Sequence, residues 1–465
     1  MTVFYTTLLL GAAIAIGSPA QTFTSLASFD YTNGSGPWGG LAQGINGSLY
    51  GTTEFGGTGP YGTVFSLTSA GKLNVVYSFQ CGETTCPNGA YPEAGVVLGA
   101  SGSFYGVTGD SVFDISPAGS VKTLDTFNGY GPGAPLVLGT DGNYYGTTLY
   151  GGASGLGTVF KMTPAGKLAT LHSFAGTDGS LPNAPMVEGA NGNFYGTTSQ
   201  GGGSTACADG CGTIFTITSQ GKLTTLHDFD KTDGWLIFSA LIQGPGEDFY
   251  GTAAGGGTAG WGTVFKMTPA GALTTVYNFC SETNCTDGGE PAGGFVLGTD
   301  GNFYGTTANG GTNTACSYGC GTIFKITPAG AFHSLYSFDY TQGWNPIGPI
   351  VQATNGSFFG TTCDNGCSGA TNCASGCGTV FRLSDGLAPF VTTVPTSGAA
   401  GTAVKILGGD LTGATSVTFN GTSAAFTVVS ATEITTSVPT GATTGKVEVV
   451  TPGATLVSNR NFQVP

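Results

Sequence analysis

The feature that most constrains this chain is an internal repeat built on an aromatic residue followed by glycine. The step occurs seven times, at Tyr50-Gly51, Tyr105-Gly106, Tyr145-Gly146, Tyr195-Gly196, Tyr250-Gly251, Tyr304-Gly305 and Phe359-Gly360. A second signal, Val or Ile before Phe, follows each step, at Val64-Phe65, Val112-Phe113, Val159-Phe160, Ile214-Phe215, Val264-Phe265, Ile323-Phe324 and Val380-Phe381. Such self-similarity indicates a repeat architecture in which each unit buries its apolar face against its neighbours.

One unit, residues 134–174, divides into four short β-rich runs: A (136–139), B (144–148), C (158–163) and D (168–174). Asp-Gly and Pro-Ala-Gly turns separate A from B and C from D. No segment keeps a helical period. Four short strands per unit predict the blades of a β-propeller.

The D runs end in phenylalanine, and the first of them precedes the first A run. These residues are Phe29, Phe79, Phe127, Phe174, Phe229, Phe279 and Phe338, whereas the last unit, ending near Phe381, has no D run of its own. A ring explains this offset, because residues 22–29 would complete the last blade and remove the open sheet edges. We therefore predict an all-β fold with a seven-bladed propeller over residues 21–386, closed by an N-terminal strand. An open β-solenoid, which needs no such exchange, is the alternative.

The composition changes from Pro389 onwards. Residues 401–453 alternate apolar and polar side chains between glycine turns, as short sandwich strands do. We predict a separate β-sandwich over residues 389–465.

Both parts resemble known families. The DGNFYGTT and GTVFKMTPAG motifs, residues 300–307 and 262–271, resemble the GloVer tandem repeat of secreted bacterial proteins, and the likeness extends over most of residues 22–383. That resemblance implies no established activity. Residues 389–465 resemble an IPT/TIG domain, which implies an immunoglobulin-like fold and a role as a spacer or adhesion element. The repeats are also distantly similar to antibiotic-lyase propellers, but the His and Glu chemistry expected there has no counterpart.

The first 20 residues are an apolar run that closes on small residues at Ser18 and Ala20. This pattern predicts a secretory signal peptide cleaved before Gln21, although the usual basic residue is missing and an ordinary buried segment is the alternative. Neither this run nor any other is long enough to span a bilayer. We expect a secreted or cell-surface protein.

The 12 cysteines form close pairs, which fit disulfides in an oxidising compartment. The pairs are Cys81/Cys86, Cys207/Cys211, Cys280/Cys285, Cys316/Cys320, Cys363/Cys367 and Cys373/Cys377. Such small loops would stiffen individual connections without stapling the whole fold. Zinc binding by the last four is the rival interpretation, though their spacing is unusual for it.

The connections differ between the two faces of the predicted disc. The A–B and C–D turns are tight and form what we call the turn face, whereas the B–C and D–A loops are long and form the loop face. All 12 cysteines lie in long loops, as do all four tryptophans: Trp38, Trp235 and Trp344 in D–A loops and Trp261 in a B–C loop. Tryptophan on a stiffened loop suits stacking on sugar rings or anchoring a protein. The alternative is that each tryptophan packs over the neighbouring blade.

Charge follows the same division. Seven lysines lie in C runs or C–D turns, and Lys231 is the one lysine of a long loop. The loop face is acidic; its carboxylates include Glu54, Glu93, Asp178, Asp209, Asp230, Asp233, Glu290 and Asp339. With a net charge of −14, nucleic acid is excluded as a partner, and neutral sugars, cationic peptides or calcium are favoured. Solvated loops that maintain solubility would have the same charge.

Catalytic patterns are poor. His172, His227 and His333 lie on D runs of different blades and should not converge, and no zinc helix, nucleophile elbow or phosphate loop is present. Glu188, on an A run, is a minor candidate for a channel carboxylate.

We therefore predict a non-catalytic binding or adhesion protein that holds a glycan or extracellular protein on its loop face, without a cofactor unless calcium binds. A polysaccharide hydrolase or lyase using loop carboxylates, and a purely structural envelope protein, are the alternatives.

Overall fold

The computed structural model describes residues 21–83, 85–127, 131–363 and 377–465. The predicted signal peptide lies outside these ranges. Within them the regular secondary structure is β-strand apart from two single-turn 3-10 helices, Pro245–Glu247 and Thr283–Cys285. In the same ranges, no helix is long and apolar enough to cross a membrane. The all-β prediction is confirmed.

The chain up to residue 384 forms four-stranded antiparallel sheets, each corresponding to the four runs of one unit. The first strand, β1, spans Thr22–Ser28. Sheets 1 to 3 contain β2 (Ala42–Gln43), β3 (Leu49–Thr53), β4 (Thr63–Leu67) and β5 (Leu73–Ser78); β6 (Val97–Leu98), β7 (Phe104–Val107), β8 (Ser111–Ile115) and β9 (Val121–Thr126); and β10 (Val137–Leu138), β11 (Tyr144–Thr148), β12 (Thr158–Met162) and β13 (Leu168–Ser173).

Sheets 4 to 6 continue the series in chain order. They contain β14 (Val187–Glu188), β15 (Phe194–Thr198), β16 (Thr213–Ile217) and β17 (Leu223–Asp228); β18 (Ile242–Gln243), β19 (Phe249–Ala253), β20 (Thr263–Met267) and β21 (Leu273–Asn278); and β22 (Phe295–Leu297), β23 (Phe303–Thr307), β24 (Thr322–Ile326) and β25 (Phe332–Ser337). The short A strands contact those of neighbouring sheets, as β2 does β6, whereas the D strands are partly exposed. The A strands are therefore innermost.

Sheet 7 combines the two ends of this region. It contains β26 (Val351–Gln352), β27 (Phe358–Thr362), β28 (Thr379–Ser384) and β1. Strand β1 pairs antiparallel with β28, from Thr22 opposite Ser384 to Ser28 opposite Thr379. The first strand thus supplies the outer strand of the last sheet, as the offset of the D runs predicts.

The aromatic–Gly step has a packing explanation within each sheet. In sheet 3, Gly146 lies opposite Phe160, and the phenyl ring covers the glycine so closely that a Cβ there would lie 2.5 Å from Phe160 Cζ. Gly251 and Phe265 repeat this arrangement in sheet 5. Glycine is needed because the side chain from the neighbouring strand occupies the space of its Cβ.

Phenylalanines join each sheet to the next. The Phe that follows a D strand meets the C-strand Phe of the following sheet at 5.1 to 5.3 Å between ring centroids. In the described residues these pairs are Phe29–Phe65, Phe79–Phe113, Phe127–Phe160, Phe174–Phe215, Phe229–Phe265, Phe279–Phe324 and Phe338–Phe381. Because Phe29 follows β1 of sheet 7 and Phe65 belongs to sheet 1, the last sheet contacts the first as the others contact their neighbours.

Polar contacts also connect sheet 7 to sheet 1. The Gln43 side chain donates to Thr354 Oγ1 (3.0 Å) and accepts from the Thr354 amide (2.9 Å), while Thr361 Oγ1 donates to the Pro37 carbonyl (2.9 Å). An open solenoid would leave these groups far apart. These contacts argue against the solenoid alternative.

Residues after 390 form two further four-stranded sheets, which we call the C-terminal module. Its strands are β29 (Thr392–Val394), β30 (Ala403–Leu407), β31 (Ser416–Phe419), β32 (Thr422–Ser423), β33 (Phe426–Ser430), β34 (Glu433–Ser437), β35 (Val447–Val450) and β36 (Thr455–Val457). The sheet orders are β29-β30-β34-β33 and β32-β31-β35-β36. Ile406 and Ile434 of one sheet share a buried core with Val417 and Val447 of the other.

The C-terminal module packs on the turn face. Leu407 and Val394 join an apolar cluster with Ile45, which lies in the A–B turn of sheet 1. Thr432 Oγ1 donates to the Ile45 carbonyl (2.8 Å), and Ser397 Oγ donates to the Thr140 carbonyl in the A–B turn of sheet 3 (3.3 Å). The opposite, loop face is not involved in these contacts.

We expect Phe29→Ala to cost about 3–5 kcal/mol of unfolding free energy, as much as Phe229→Ala, because both rings are buried in equivalent contacts between sheets. Val75→Ala, on the exposed side of β5, is the control and should change stability by less than about 0.5 kcal/mol. Chemical denaturation measures all three. If Phe29→Ala resembled the control, β1 would be peripheral and the series of sheets would not depend on it.

Candidate functional site

Disulfides stiffen the long loops. The structure contains the bonds Cys81–Cys86, Cys207–Cys211, Cys280–Cys285 and Cys316–Cys320, four of the predicted pairs. Cys363 and Cys377 are also disulfide-bonded, whereas their predicted partners Cys367 and Cys373 lie outside the described residues, as does most of the alternative zinc cluster. Elsewhere in the described ranges, no three His, Cys, Asp or Glu side chains converge as metal ligands.

Side chains near the ends of the D strands tether the D–A loops. His172 Nε2 lies 2.8 Å from Asp178 Oδ2, and His227 Nε2 lies 2.7 Å from Asp233 Oδ2. Tyrosines occupy the same place in other sheets, where Tyr277, for example, donates to Asp287 at 2.8 Å. The two histidines therefore hold their own loops and do not converge on one site.

The four predicted tryptophans lie in the loops expected for them but in different surroundings. Trp38 is the most exposed, with 38% of its surface accessible. Trp235, Trp261 and Trp344 are partly buried against their neighbouring sheets. Trp261 covers Gly289, where a Cβ would lie 2.8 Å from the indole. Part of each of these three indoles therefore has a packing role.

Two of the tryptophans belong to an aromatic strip on the loop face, which we define as the two ring pairs Trp261–Tyr318 and Tyr340–Trp344. The ring centroids of Trp261 and Tyr318 are 6.1 Å apart, and those of Tyr340 and Trp344 are 5.9 Å apart at an interplanar angle of 18°. The two pairs are connected because Trp344 packs in the same cluster as Cys316 and Cys320, the disulfide that flanks Tyr318.

The strip is accessible mainly through its tyrosines. Tyr318 is 70% exposed and Tyr340 is 48% exposed, so both rings present apolar surface to solvent on loops that are already ordered. Sequence reasoning missed both tyrosines, because they are ordinary loop residues until the fold brings two loops side by side. Their only signal was the short distance along the chain from each to a cysteine pair or a tryptophan.

A second group lies at the junction of sheets 7, 1 and 2. Glu54 follows β3 directly, and its carboxylate accepts a hydrogen bond from the Trp38 side chain. Burial and the charge of nearby Glu93 raise the pKa of Glu54 to about 7. Desolvation by the surrounding protein atoms also raises the pKa of Glu93, although part of this residue is exposed to solvent.

Glu54 could have been found by aligning the seven units. The third residue after the aromatic–Gly step is Glu54 in the first unit, and Gly109, Leu149, Ser199, Ala254, Ala308 and Cys363 in the others. Glu54 is thus the one carboxylate at that position. Its proximity to Glu93, however, depends on how two neighbouring units pack.

Glu188, the channel candidate, has a structural contact. Its carboxylate accepts hydrogen bonds from the Thr140 amide (2.8 Å) and hydroxyl (2.6 Å) in the preceding sheet's A–B turn. Gln243 and Gln352 accept from equivalent amides at 3.1 and 3.0 Å. Glu188 therefore belongs to a series of contacts that join neighbouring sheets.

A family model supports the repeat assignment directly. The model of the Gloeobacter/Verrucomicrobia repeat matches residues 9–208, 109–246 and 204–429, which together span most of the chain. The chain belongs to the Gloeobacter/Verrucomicrobia repeat family. The resemblance seen in the repeat motifs is confirmed, and the name says nothing about an activity.

Solved structures similar to this family member show the fold alone. A streptogramin B lyase is 14% identical, with a TM-score of 0.51 over 78% of this chain and 97% of its own. Virginiamycin B lyase from Staphylococcus aureus is 13% identical, with a TM-score of 0.51 over 78% and 99%. A fungal alcohol oxidase in complex with copper is 12% identical, with a TM-score of 0.54 over 95% and 99%. No sequence among curated proteins matches.

These similar proteins are propeller-like, and their names describe two lyases and an alcohol oxidase. A shared fold therefore does not select a function for this repeat protein, whose function depends on the residues of its loop face.

The raised pKa of Glu54 predicts a pH dependence of stability. Between its ordinary pKa of 4.5 and about 7, the folded chain binds more protons at Glu54 than the unfolded chain, so this contribution to stability falls as pH rises through that window. Glu54→Gln should remove the fall and leave the protein more stable than wild type at pH 8. Urea denaturation at pH 5 and pH 8 measures the difference.

The control is Glu448→Gln, an exposed glutamate on β35 of the C-terminal module. It should leave the pH dependence unchanged. Equal slopes for wild type and Glu54→Gln would contradict the environment described for Glu54.

Proposed function

We propose that this chain is an exported glycan-binding protein that holds its ligand on the aromatic strip of the loop face. In this proposal residues 1–20 are a signal peptide, residues 21–386 form a seven-bladed β-propeller closed by β1, and residues 389–465 form an immunoglobulin-like module of the IPT/TIG type. The packing of the last sheet against the first supports a closed ring of seven blades. The disulfides are consistent with secretion.

The observation that carries the binding function is the exposure of Tyr318 and Tyr340 beside two partly buried tryptophans. Flat aromatic rings bury the apolar face of a sugar, and their few side-chain torsions make the ordering cost small. Here the cost is lower still, because the Cys316–Cys320 bond and the packing of Trp344 already hold the loops. An extracellular protein would find the same anchors and is the second class of ligand.

Charge supports a neutral glycan over an acidic one. The chain has a net charge of −14, and the strip itself contains no ionisable group other than its tyrosines. Long acidic polymers would be repelled by the surrounding carboxylates. The C-terminal module packs on the turn face, which leaves the loop face available while the module attaches or spaces the protein.

Glycan-array binding followed by titration tests the proposal. We expect Tyr318→Ala to weaken binding roughly tenfold or more, because truncating a central aromatic anchor typically has that effect, and Tyr318→Phe to retain it. Tyr150→Ala is the matched control, since Tyr150 is an exposed tyrosine of a B–C loop in sheet 3, away from the strip. Binding that persists in a Tyr318→Ala, Tyr340→Ala double variant would refute this site.

One observation favours a second function, a polysaccharide hydrolase or lyase. Glu54, with a pKa of about 7, is about half protonated at neutral pH, which suits a general acid, and Glu93 lies close enough to influence its pKa. In that case activity should decline above pH 7, and Glu54→Gln should abolish it while Glu448→Gln leaves it intact. Product release from a polysaccharide panel, with and without calcium, measures this. Absence of turnover with every substrate would rule out the enzyme. A binding protein would then still bind a glycan, whereas a purely structural protein would show neither binding nor turnover.

A further inference from the structure

A hollow between sheets 4 and 5 lies on the loop face, apart from both groups described above. It has a volume of about 160 Å³, and its lining includes Gln200, Cys207, Asp209, Lys231, Trp235 and Leu236. We propose that this hollow binds a small free amino acid, with Lys231 bound to the ligand carboxylate and Asp209 bound to its ammonium group. This proposal is independent of glycan binding by the strip.

The two charged side chains that line the hollow, Lys231 and Asp209, are exposed and do not neutralise each other. Lys231 and Asp209 line the same space, yet neither takes part in the ion pairs within 4.0 Å found among the described residues. The Lys231 ammonium instead lies 5.6 Å from the centroid of the Trp235 ring. A ligand with one charge of each sign would satisfy both groups by charge-assisted hydrogen bonds.

The junction of sheets 6 and 7 is an internal comparison. The Cys316–Cys320 bond there corresponds to Cys207–Cys211 beside the hollow. The Tyr318 carbonyl accepts a hydrogen bond from the Gly310 amide (2.7 Å), as the Asp209 carbonyl does from the Gly201 amide (2.8 Å). Tyr340 stacks on Trp344 where Lys231 lies over Trp235. The disulfide loop therefore forms with a tyrosine in place of Asp209, and a tyrosine ring lies against the tryptophan in place of Lys231, although Tyr340 does not share the left-handed backbone of Lys231.

The backbone at Lys231 also shows that a different side chain fits there. Lys231 has φ of 72°, and Tyr31, at the equivalent position in the loop before sheet 1, has φ of 71°. A tyrosine can thus adopt this left-handed conformation in a loop of the same design. The backbone conformation therefore does not require a lysine at position 231.

Size and apolar lining narrow the ligand class. The volume of about 160 Å³ is smaller than that of the sites, about 300–1,000 Å³, that hold drug-sized molecules. Trp235, Leu236 and Cys207 form an apolar wall next to the charged pair. The combination suits an amino acid with an aliphatic side chain.

Isothermal titration calorimetry of the full chain with L-leucine tests the proposal. We expect L-leucine to bind, and N-acetyl-L-leucine, which lacks the ammonium, and L-leucinamide, which lacks the carboxylate, each to bind at least about tenfold more weakly. D-glucose should not compete. Absence of leucine binding, or binding of either blocked compound as tightly as L-leucine, would overturn the proposal.

Two variants locate the site, and both copy residues of the equivalent junction. Lys231→Tyr and Asp209→Tyr should each weaken leucine binding at least about tenfold while leaving glycan binding by the strip and the unfolding midpoint unchanged. Lys222→Tyr, in the C–D turn of sheet 4 on the turn face, is the control and should bind leucine as the wild type does. Leucine affinity that is the same in all three variants would place binding elsewhere and refute this hollow as the site.

Discussion

The structure depends on one contact between sheets: the phenylalanine after each D strand, packed edge-on against the C-strand phenylalanine of the next sheet. That second ring also covers the glycine opposite it on the B strand. The C-strand phenylalanine therefore packs within its own sheet and also contacts the preceding sheet. Aromatic pairs of this kind contribute about 0.5–1.5 kcal/mol beyond the burial of their area. Because each contact connects only adjacent units, stability accumulates around the series, and β1 is needed to supply the last one.

A scaffold held in this way tolerates variation at its long loops. The rings that join the sheets lie within or directly after strands, whereas the loops are ordered separately by disulfides and by tethers such as His227 to Asp233. The result is several local surfaces on one scaffold: the aromatic strip, the pair of Glu54 and Glu93, and the hollow at Trp235. The C-terminal module contacts Ile45 and Thr140 on the opposite face, which keeps it away from all three.

The sequence could predict which loops contain many of the site residues, but not which of those residues meet. The repeat register placed every tryptophan in the correct type of loop and paired four sets of cysteines, because those features depend on separations of a few residues. The register could also have distinguished Glu54 as the one carboxylate at its position. Tyr318 and Tyr340 could not be recognised, since their importance comes from two loops of different sheets lying side by side. The contact of Glu188 with Thr140 likewise joins neighbouring sheets and has no signature in either unit alone.

The amino-acid sequence by itself determined the all-β class, the four strands of each unit and the exchange of the first strand, because strand period, turn residues and the ring-over-glycine pairing are local properties. Tertiary structure alone decided which loop residues meet. Neighbouring units pack with nearly the same geometry everywhere, so the difference between one junction and another lies in side chains from two separate loops. At sheets 6 and 7 these are two tyrosines, and at sheets 4 and 5 they are a lysine and an aspartate that share a hollow without pairing.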